Sequence, residues 1–331
     1  MQFGLKRREF VTLLGSSAAV WPMLVRAQQG GKVRRIGLLT GTSREGASIN
    51  FDAFLQGMRD LGYVEGRDFI ADLRFADGNY DRFPELAAEL VRLEADVIVT
   101  GTGAAIRTLQ RATTTVPIVL AYSTDPVGNG FVASLARPGG NITGLSGSSE
   151  DTSPKQLELV ASVVTNVSRI GLLGNPASPV YADVRKSAQT AAQKVGLTLV
   201  SVEARNLQEI DRAFADLNNQ RVQAFIGAAD AVFFTQRQQI AELALRNRLP
   251  SMFSQREYAQ AGGLMSYGEN LSDFFRRAAS FVDKIFKGAK PGDLPIEQPT
   301  RFNLVINRKT ADALGMTIPP QLYIFADEVI E

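Results

Sequence analysis

The sequence predicts an α/β protein built as two doubly wound parallel-sheet lobes placed in series. Three observations carry that prediction. Arg35-Ile36-Gly37-Leu38-Leu39 recurs later in the chain as Arg169-Ile170-Gly171-Leu172-Leu173. The helical stretch after each copy ends in a glycine, Gly62 and Gly196, at the same distance from its own copy, so two βα units of one design stand in register. Apolar runs of strand length alternate with helical stretches along the chain, the pattern of parallel sheets covered on both faces. The 331 residues, 45% of them hydrophobic, suffice for two packed domains and argue against disorder.

The elements follow in order. In the first half, strands are predicted at residues 35–39, 70–75, 96–100, 117–120 and 141–145. In the second half they fall at 169–173, 198–202, 224–227, 250–253 and 263–267. Each is a short apolar run bounded by turn residues. The helix over 83–93 carries Pro84 in its first turn, where a missing N–H is harmless. Ser153-Pro154-Lys155-Gln156 reads as a capping box with Pro at the first helical position. It starts a helix with Leu157, Val160, Ala161 and Val164 on one face. Leu271, Phe274, Phe275, Ala278, Val282 and Ile285 form another such face. Ligands of such sheets bind beyond the carboxyl ends of the strands. If the two lobes face each other, those loops line one cleft.

The N-terminus reads as an address. Lys6-Arg7-Arg8-Glu9-Phe10 runs into the uncharged stretch 10–25, the length of a signal-peptide core and short for a membrane span. Val25-Arg26-Ala27 offers a cleavage site before Gln28, and the Arg-Arg-x-Phe order resembles a twin-arginine export signal. An ordinary signal peptide or a buried N-terminal helix is the alternative. Residues 1–27 hold four basic residues and one acidic, so the remainder keeps 32 basic and 33 acidic. The apparent basicity is therefore the leader's and points to no acidic partner. The chain has no His and no Cys. That excludes a Ser-His-Asp triad, a thiol nucleophile, a disulfide, a Cys-linked lipid anchor and a typical zinc site. Carboxylates could still hold Mg²⁺ or Ca²⁺, but no cofactor is expected.

The most specific motifs lie further on. Asp125-Pro126-Val127-Gly128 precedes Leu135-Ala136-Arg137-Pro138-Gly139-Gly140-Asn141-Ile142-Thr143-Gly144. Gly262-Gly263-Leu264-Met265-Ser266-Tyr267-Gly268 and Leu294-Pro295-Ile296-Glu297-Gln298-Pro299-Thr300 follow, and Ala326-Asp327-Glu328-Val329-Ile330 closes the chain. With Leu61-Gly62-Tyr63-Val64-Glu65-Gly66-Arg67, these closely resemble the bacterial ABC-transporter substrate-binding proteins related to tryptophan/phenylalanine-type uptake receptors, over roughly residues 33–331. The resemblance implies a type I periplasmic-binding-protein-like fold whose lobes are joined by a multi-segment hinge. It also implies solute capture for an inner-membrane ABC permease. With the export signal, the chain is expected to be a periplasmic, monomeric receptor without enzymatic activity that holds an amino acid or an aromatic or carboxylate-type small molecule in an interlobe cleft. On that pattern the first lobe would take residues 33–147 plus about 269–298, and the second 148–268 plus about 299–331. A two-lobed α/β enzyme and a ligand sensor for a membrane signalling partner are the competing functions. The missing His weighs against the enzyme, and fold alone does not separate transport from sensing.

Candidate ligand contacts sit in the loops after the strands. In the first lobe they are Thr42, Ser43, Thr102, Gly103, Ser123 and Asp125; in the second, Asn175, Ser178, Asp230, Ser254 and Tyr267. Small residues let backbone amides approach a ligand, and hydroxyls both donate and accept. Each has a plainer role. Thr42 and Ser43 could cap a helix, Asp125 could cap a turn before Pro126, Asp230 could cap the helix after it, and Asn175-Pro176 marks a turn. Tyr122 and Tyr181 could stack on an aromatic ligand, with ordinary packing the simpler role. Gly101-x-Gly103 lacks the third glycine of a dinucleotide turn. The basic residues Arg276, Arg277, Lys284, Lys287 and Lys290 read as a solvated helix face, so no nucleic-acid partner is expected. If the ligand is an α-amino acid, Asp125 and Asp230 are placed to accept from its ammonium group, one from each lobe.

Overall fold

A computed structural model describes residues 33–147, 149–178, 181–299 and 301–331, with the side chains of 149–151 left out. The expected leader, residues 1–27, lies outside the described residues. The first half runs β1 (Arg34–Thr40), α1 (Arg44–Asp60), β2 (Phe69–Phe75), a 3₁₀ turn (Tyr80–Arg82), α2 (Phe83–Arg92), β3 (Val97–Thr100), α3 (Gly103–Ala112), β4 (Ile118–Leu120) and β5 (Ile142–Gly144). These five strands form one parallel sheet of order β2-β1-β3-β4-β5.

The second half opens with α4 (Ser149–Val163), β6 (Arg169–Gly174), α5 (Tyr181–Lys194), β7 (Thr198–Glu203), α6 (Leu207–Asn219) and β8 (Ala224–Gly227). It continues through α7 (Ala231–Thr235), α8 (Arg237–Arg246), β9 (Ser251–Phe253), α9 (Arg256–Gln260) and β10 (Met265–Glu269). After α10 (Leu271–Phe286) come β11 (Phe302–Asn307), α11 (Arg308–Leu314), α12 (Pro320–Phe325) and β12 (Glu328–Ile330). The second sheet has the order β12-β11-β10-β9-β8-β6-β7. Its run β7-β6-β8-β9-β10 repeats the strand order of the first sheet, as the sequence repeat predicts. β11 is antiparallel to β10, the one reversal in the second sheet among the described residues.

Each sheet is buried on both faces. Along β1, Ile36 and Leu38 point into one apolar cluster and Leu39 into the other. β6 does the same with Ile170 and Leu172 against Leu173, the two-residue alternation of a strand. The repeated glycines have a packing reason. A Cβ on Gly37 would press on Leu90 of α2, and one on Gly171 would press on Leu217 of α6. The helix lies close on the strand because that carbon is missing.

Two expectations shift. The helix expected to start at Ser153 starts four residues earlier, at Ser149, with Pro154 inside it. The fifth strand of the second lobe runs 265–269 and not 263–267, because Gly262 has a positive φ of 106° and turns the chain just before it.

The chain passes between the sheets three times, near residues 145–147, 269–270 and 297–299. The first and third passages are stitched together: Ser146 N–H donates to Glu297 O at 2.9 Å and Glu297 N–H to Gly144 O at 3.0 Å. After the second passage α10 returns to the first sheet and packs along α1. Gly57 of α1 lies against the Arg276 carbonyl and Ala279 of α10, too close for any side chain at 57. Tyr63 Oη donates to Asp283 Oδ1 at 3.0 Å beside this contact.

Candidate functional site

The loops beyond the strand ends of both sheets enclose a cleft of about 990 Å³. Thr42 follows β1, Thr102 and Gly103 follow β3, and Ser123 and Asp125 follow β4. Ser178 follows β6, Asp230 follows β8 and Gln255 follows β9. All of them line the cleft, so the strand carboxyl ends of both lobes face it.

Seven of the eleven residues expected from sequence meet there: Thr42, Thr102, Gly103, Ser123, Asp125, Ser178 and Asp230. The other four lie elsewhere. Ser43 caps α1, accepting from Gly46 N–H at 3.2 Å. Asn175 is buried behind Asp230. Ser254 lines a smaller chamber that adjoins the cleft. Tyr267 stacks on Phe302 with ring centroids 5.6 Å apart and packs against the second lobe's core. It was expected at the cleft because it ends a predicted strand; the strand runs two residues further and turns the ring away.

Asp125 serves its own turn. It has a positive φ of 41°, and its Oδ1 accepts from Gly128 N–H at 2.8 Å. The residue remains exposed. Asp230 is almost buried and densely bonded. Its Oδ1 accepts from Val232 N–H at 2.8 Å and Phe233 N–H at 3.3 Å, which caps α7. Asn175 Nδ2 lies 3.2 Å from both oxygens. From the opposite lobe, Tyr80 Oη donates to Asp230 Oδ2 at 2.7 Å. Burial and the Asp230 charge push the Tyr80 hydroxyl well above the usual tyrosine range, so it stays a donor. A Cβ added at Gly41 would meet Ala231, and one at Gly78 would meet Val232. Here the two lobes touch with little room between them.

The first-lobe wall carries an open helix end. Thr102 is the N-cap residue of α3 but makes no side-chain cap. The α3 first-turn amides therefore face the cleft with the partial positive charge of a helix N-terminus. Arg107, one turn along, adds a guanidinium that sits 5.2 Å over the Phe131 ring. Deeper in, the Tyr122 hydroxyl donates to Glu269, and burial followed by that carboxylate's charge pushes it upward. This wall suits a small anion such as a carboxylate. No group of three or more acidic residues placed to hold a metal occurs among the described residues.

Sequence reasoning missed Tyr80 and Arg107 as functional candidates. Tyr80 sits in a turn with no strand-end signal, and only its contact with the distant Asp230 reveals its place. Arg107 had a legible signal: it lies one turn inside a helix opened by Gly101-Thr102-Gly103.

The family described as ABC transporter substrate binding protein matches residues 35–330. The chain is 25% identical over 265 residues to the tyrosine-binding protein of Clostridioides difficile (strain R20291), covering 80% of this chain and 75% of that one. The solved ABC domain of Streptococcus pneumoniae in complex with L-Trp superposes with a TM-score of 0.82 at 26% identity, covering 90% of this chain and 100% of that one. A conserved domain protein from Vibrio cholerae gives 0.84 at 26% identity with the same coverage.

Proposed function

The chain belongs to the family of ABC transporter substrate-binding proteins, and from that premise we propose that its cleft captures an α-amino acid for a membrane ABC permease. The observation that carries this reading is the uncapped α3 N-terminus beside Arg107, facing the cleft. It offers donors and positive charge for a carboxylate. Asp125, exposed on the same wall, supplies an acceptor for the ammonium group. The ligand would thus dock on the first lobe, and the second lobe would close over it. Relatives that bind L-Trp or tyrosine support the amino-acid class.

In this reading Asp230 acts on closure and not on the ammonium group, since helix amides, Asn175 and Tyr80 already occupy its oxygens. Binding favours the closed state only by as much as the ligand prefers closed to open. We propose the lobe limits 33–147 plus about 269–298 and 148–268 plus about 299–331. Residues 1–27 would direct export to the periplasm, where the receptor works as a monomer without a cofactor. N-terminal sequencing of the exported protein should then begin at Gln28; an intact Met1 in that fraction rules the leader out.

A thermal-shift screen of the purified protein against the twenty amino acids tests the ligand class. A ligand at 100 times its Kd adds about 2.7 kcal/mol of stability. If no amino acid moves the transition and calorimetry shows no heat of binding, the amino-acid reading fails.

A further inference from the structure

Behind the main cleft lies a second, smaller chamber of about 80 Å³. It sits between α4, α5, the ends of β8 and β9, and the hinge. It shares Tyr122, Ser153, Val184, Ala229, Gln255 and Leu271 with the cleft, so the two spaces adjoin. Leu172, Ala188, Ile226 and Ala228 complete a largely apolar wall. We propose that this chamber receives the far end of the ligand's side chain, and that Gln255 selects a side chain tipped with a hydrogen-bonding group. The inference rests on the amino-acid reading above and adds the side-chain class.

Size sets the first limit. A closed apolar cavity of about 150 Å³ holds a benzene ring. The chamber has about half that, so it takes the distal part of an aromatic side chain while the rest stays in the cleft.

Chemistry sets the second. The Gln255 Oε1 is enclosed and has no hydrogen-bond partner. Two other polar groups on the wall are engaged: Gln156 Nε2 donates to Tyr267 O at 2.8 Å, and Glu269 accepts from Tyr122. An enclosed carbonyl oxygen without a partner costs free energy that a matching ligand donor removes. The terminal torsion of a glutamine is broad and two-fold, so the amide can turn its oxygen or its NH₂ to the chamber. A phenol hydroxyl or an indole N–H pairs with it; a phenyl or alkyl tip leaves it unpaired. Sites that bond a substrate hydroxyl reject the analogue lacking it far more strongly than apolar pockets reject a missing methylene.

Calorimetry with L-tyrosine, L-phenylalanine, L-4-methylphenylalanine and L-leucine tests this. The native protein should bind L-tyrosine at least ten-fold more tightly than L-phenylalanine and L-4-methylphenylalanine, the latter filling the same space with a methyl tip. Gln255→Met should bring the tyrosine-to-phenylalanine ratio below three-fold by weakening tyrosine alone. Equal binding of the three aromatic ligands by the native protein overturns the inference, as does an unchanged ratio in the variant. The ligand comparison stands by itself if the variant does not fold. Undiscriminating binding leaves the amino-acid reading intact and removes only the role of Gln255. Absence of binding by all four removes the role of Gln255, and the amino-acid reading falls with it only if none of the twenty amino acids moves the thermal transition.

Discussion

Tyr80 and Asp230 join the two lobes through a single hydroxyl-to-carboxylate bond of 2.7 Å. A hydrogen bond to a charged group contributes about 1.5–3 kcal/mol, and this one exists only when the lobes meet. Tyr80→Phe should therefore weaken ligand binding by roughly ten- to a hundred-fold while leaving the melting temperature of the unliganded protein nearly unchanged. Calorimetry beside a melting curve separates the two effects. Asp230→Ala removes the same bond and also the cap of α7, which is worth about 1 kcal/mol. It should weaken binding at least ten-fold and lower the melting temperature too; unchanged affinity would detach Asp230 from closure. Asp230 was legible in the sequence as a cap or a ligand contact, and the cap is present. Its bond to Tyr80 was not legible, because no local pattern links positions so far apart in the chain. Arg107 could have been found from its place one turn inside α3, but its stacking over Phe131 and its position on the cleft wall depend on the fold and not on local pattern.

Among the elements, the repeat was the most informative signal, because the strand order of a βα unit follows from its design. Strand positions held to within two residues or so, since each strand is an apolar run between turn residues. The start of α4 was not legible. Proline is favoured at a first helical position, and Ser153-Pro154 imitated one inside a longer helix. The contact of α1 with α10 was also invisible, as it depends on Gly57 meeting the carbonyl of Arg276, in the opposite half of the chain. Gly57→Ala, harmless in an isolated helix, should here cost about 1–3 kcal/mol by forcing the helices apart, read as a lower midpoint in urea unfolding. In α9, burial holds the Glu257 carboxyl above its ordinary value of 4.5, although Arg256 and Arg237 pull the other way. The folded chain thus keeps this proton to higher pH than the unfolded chain does. The group's contribution to stability accordingly falls as pH rises from about 4.5 through the folded value. Glu257→Gln should raise the melting temperature at pH 8 more than at pH 4; an equal shift at both would show that the carboxyl is not raised.

For the molecule as a whole, the three passages between the sheets leave each lobe a body with its own two-faced core. Motion is then expected as rotation of one lobe against the other. Small-angle scattering should show the radius of gyration falling when a ligand confirmed by calorimetry is added; an unchanged radius at saturation would rule out closure. The same threading governs how the chain is made. Tyr63 meets Asp283 from the far side of the sequence, and bringing such distant points together costs roughly 5 kcal/mol of chain entropy. A chain still growing at residue 270 has every strand of the first sheet but lacks the helix that covers one face. At residue 300 the other lobe still lacks two strands. Neither lobe can finish before nearly the whole polypeptide has left the ribosome, so the usual amino-terminal-first order of domain folding does not apply. Synthesis thus leaves a long interval in which both cores are incomplete, with apolar faces open to chaperones.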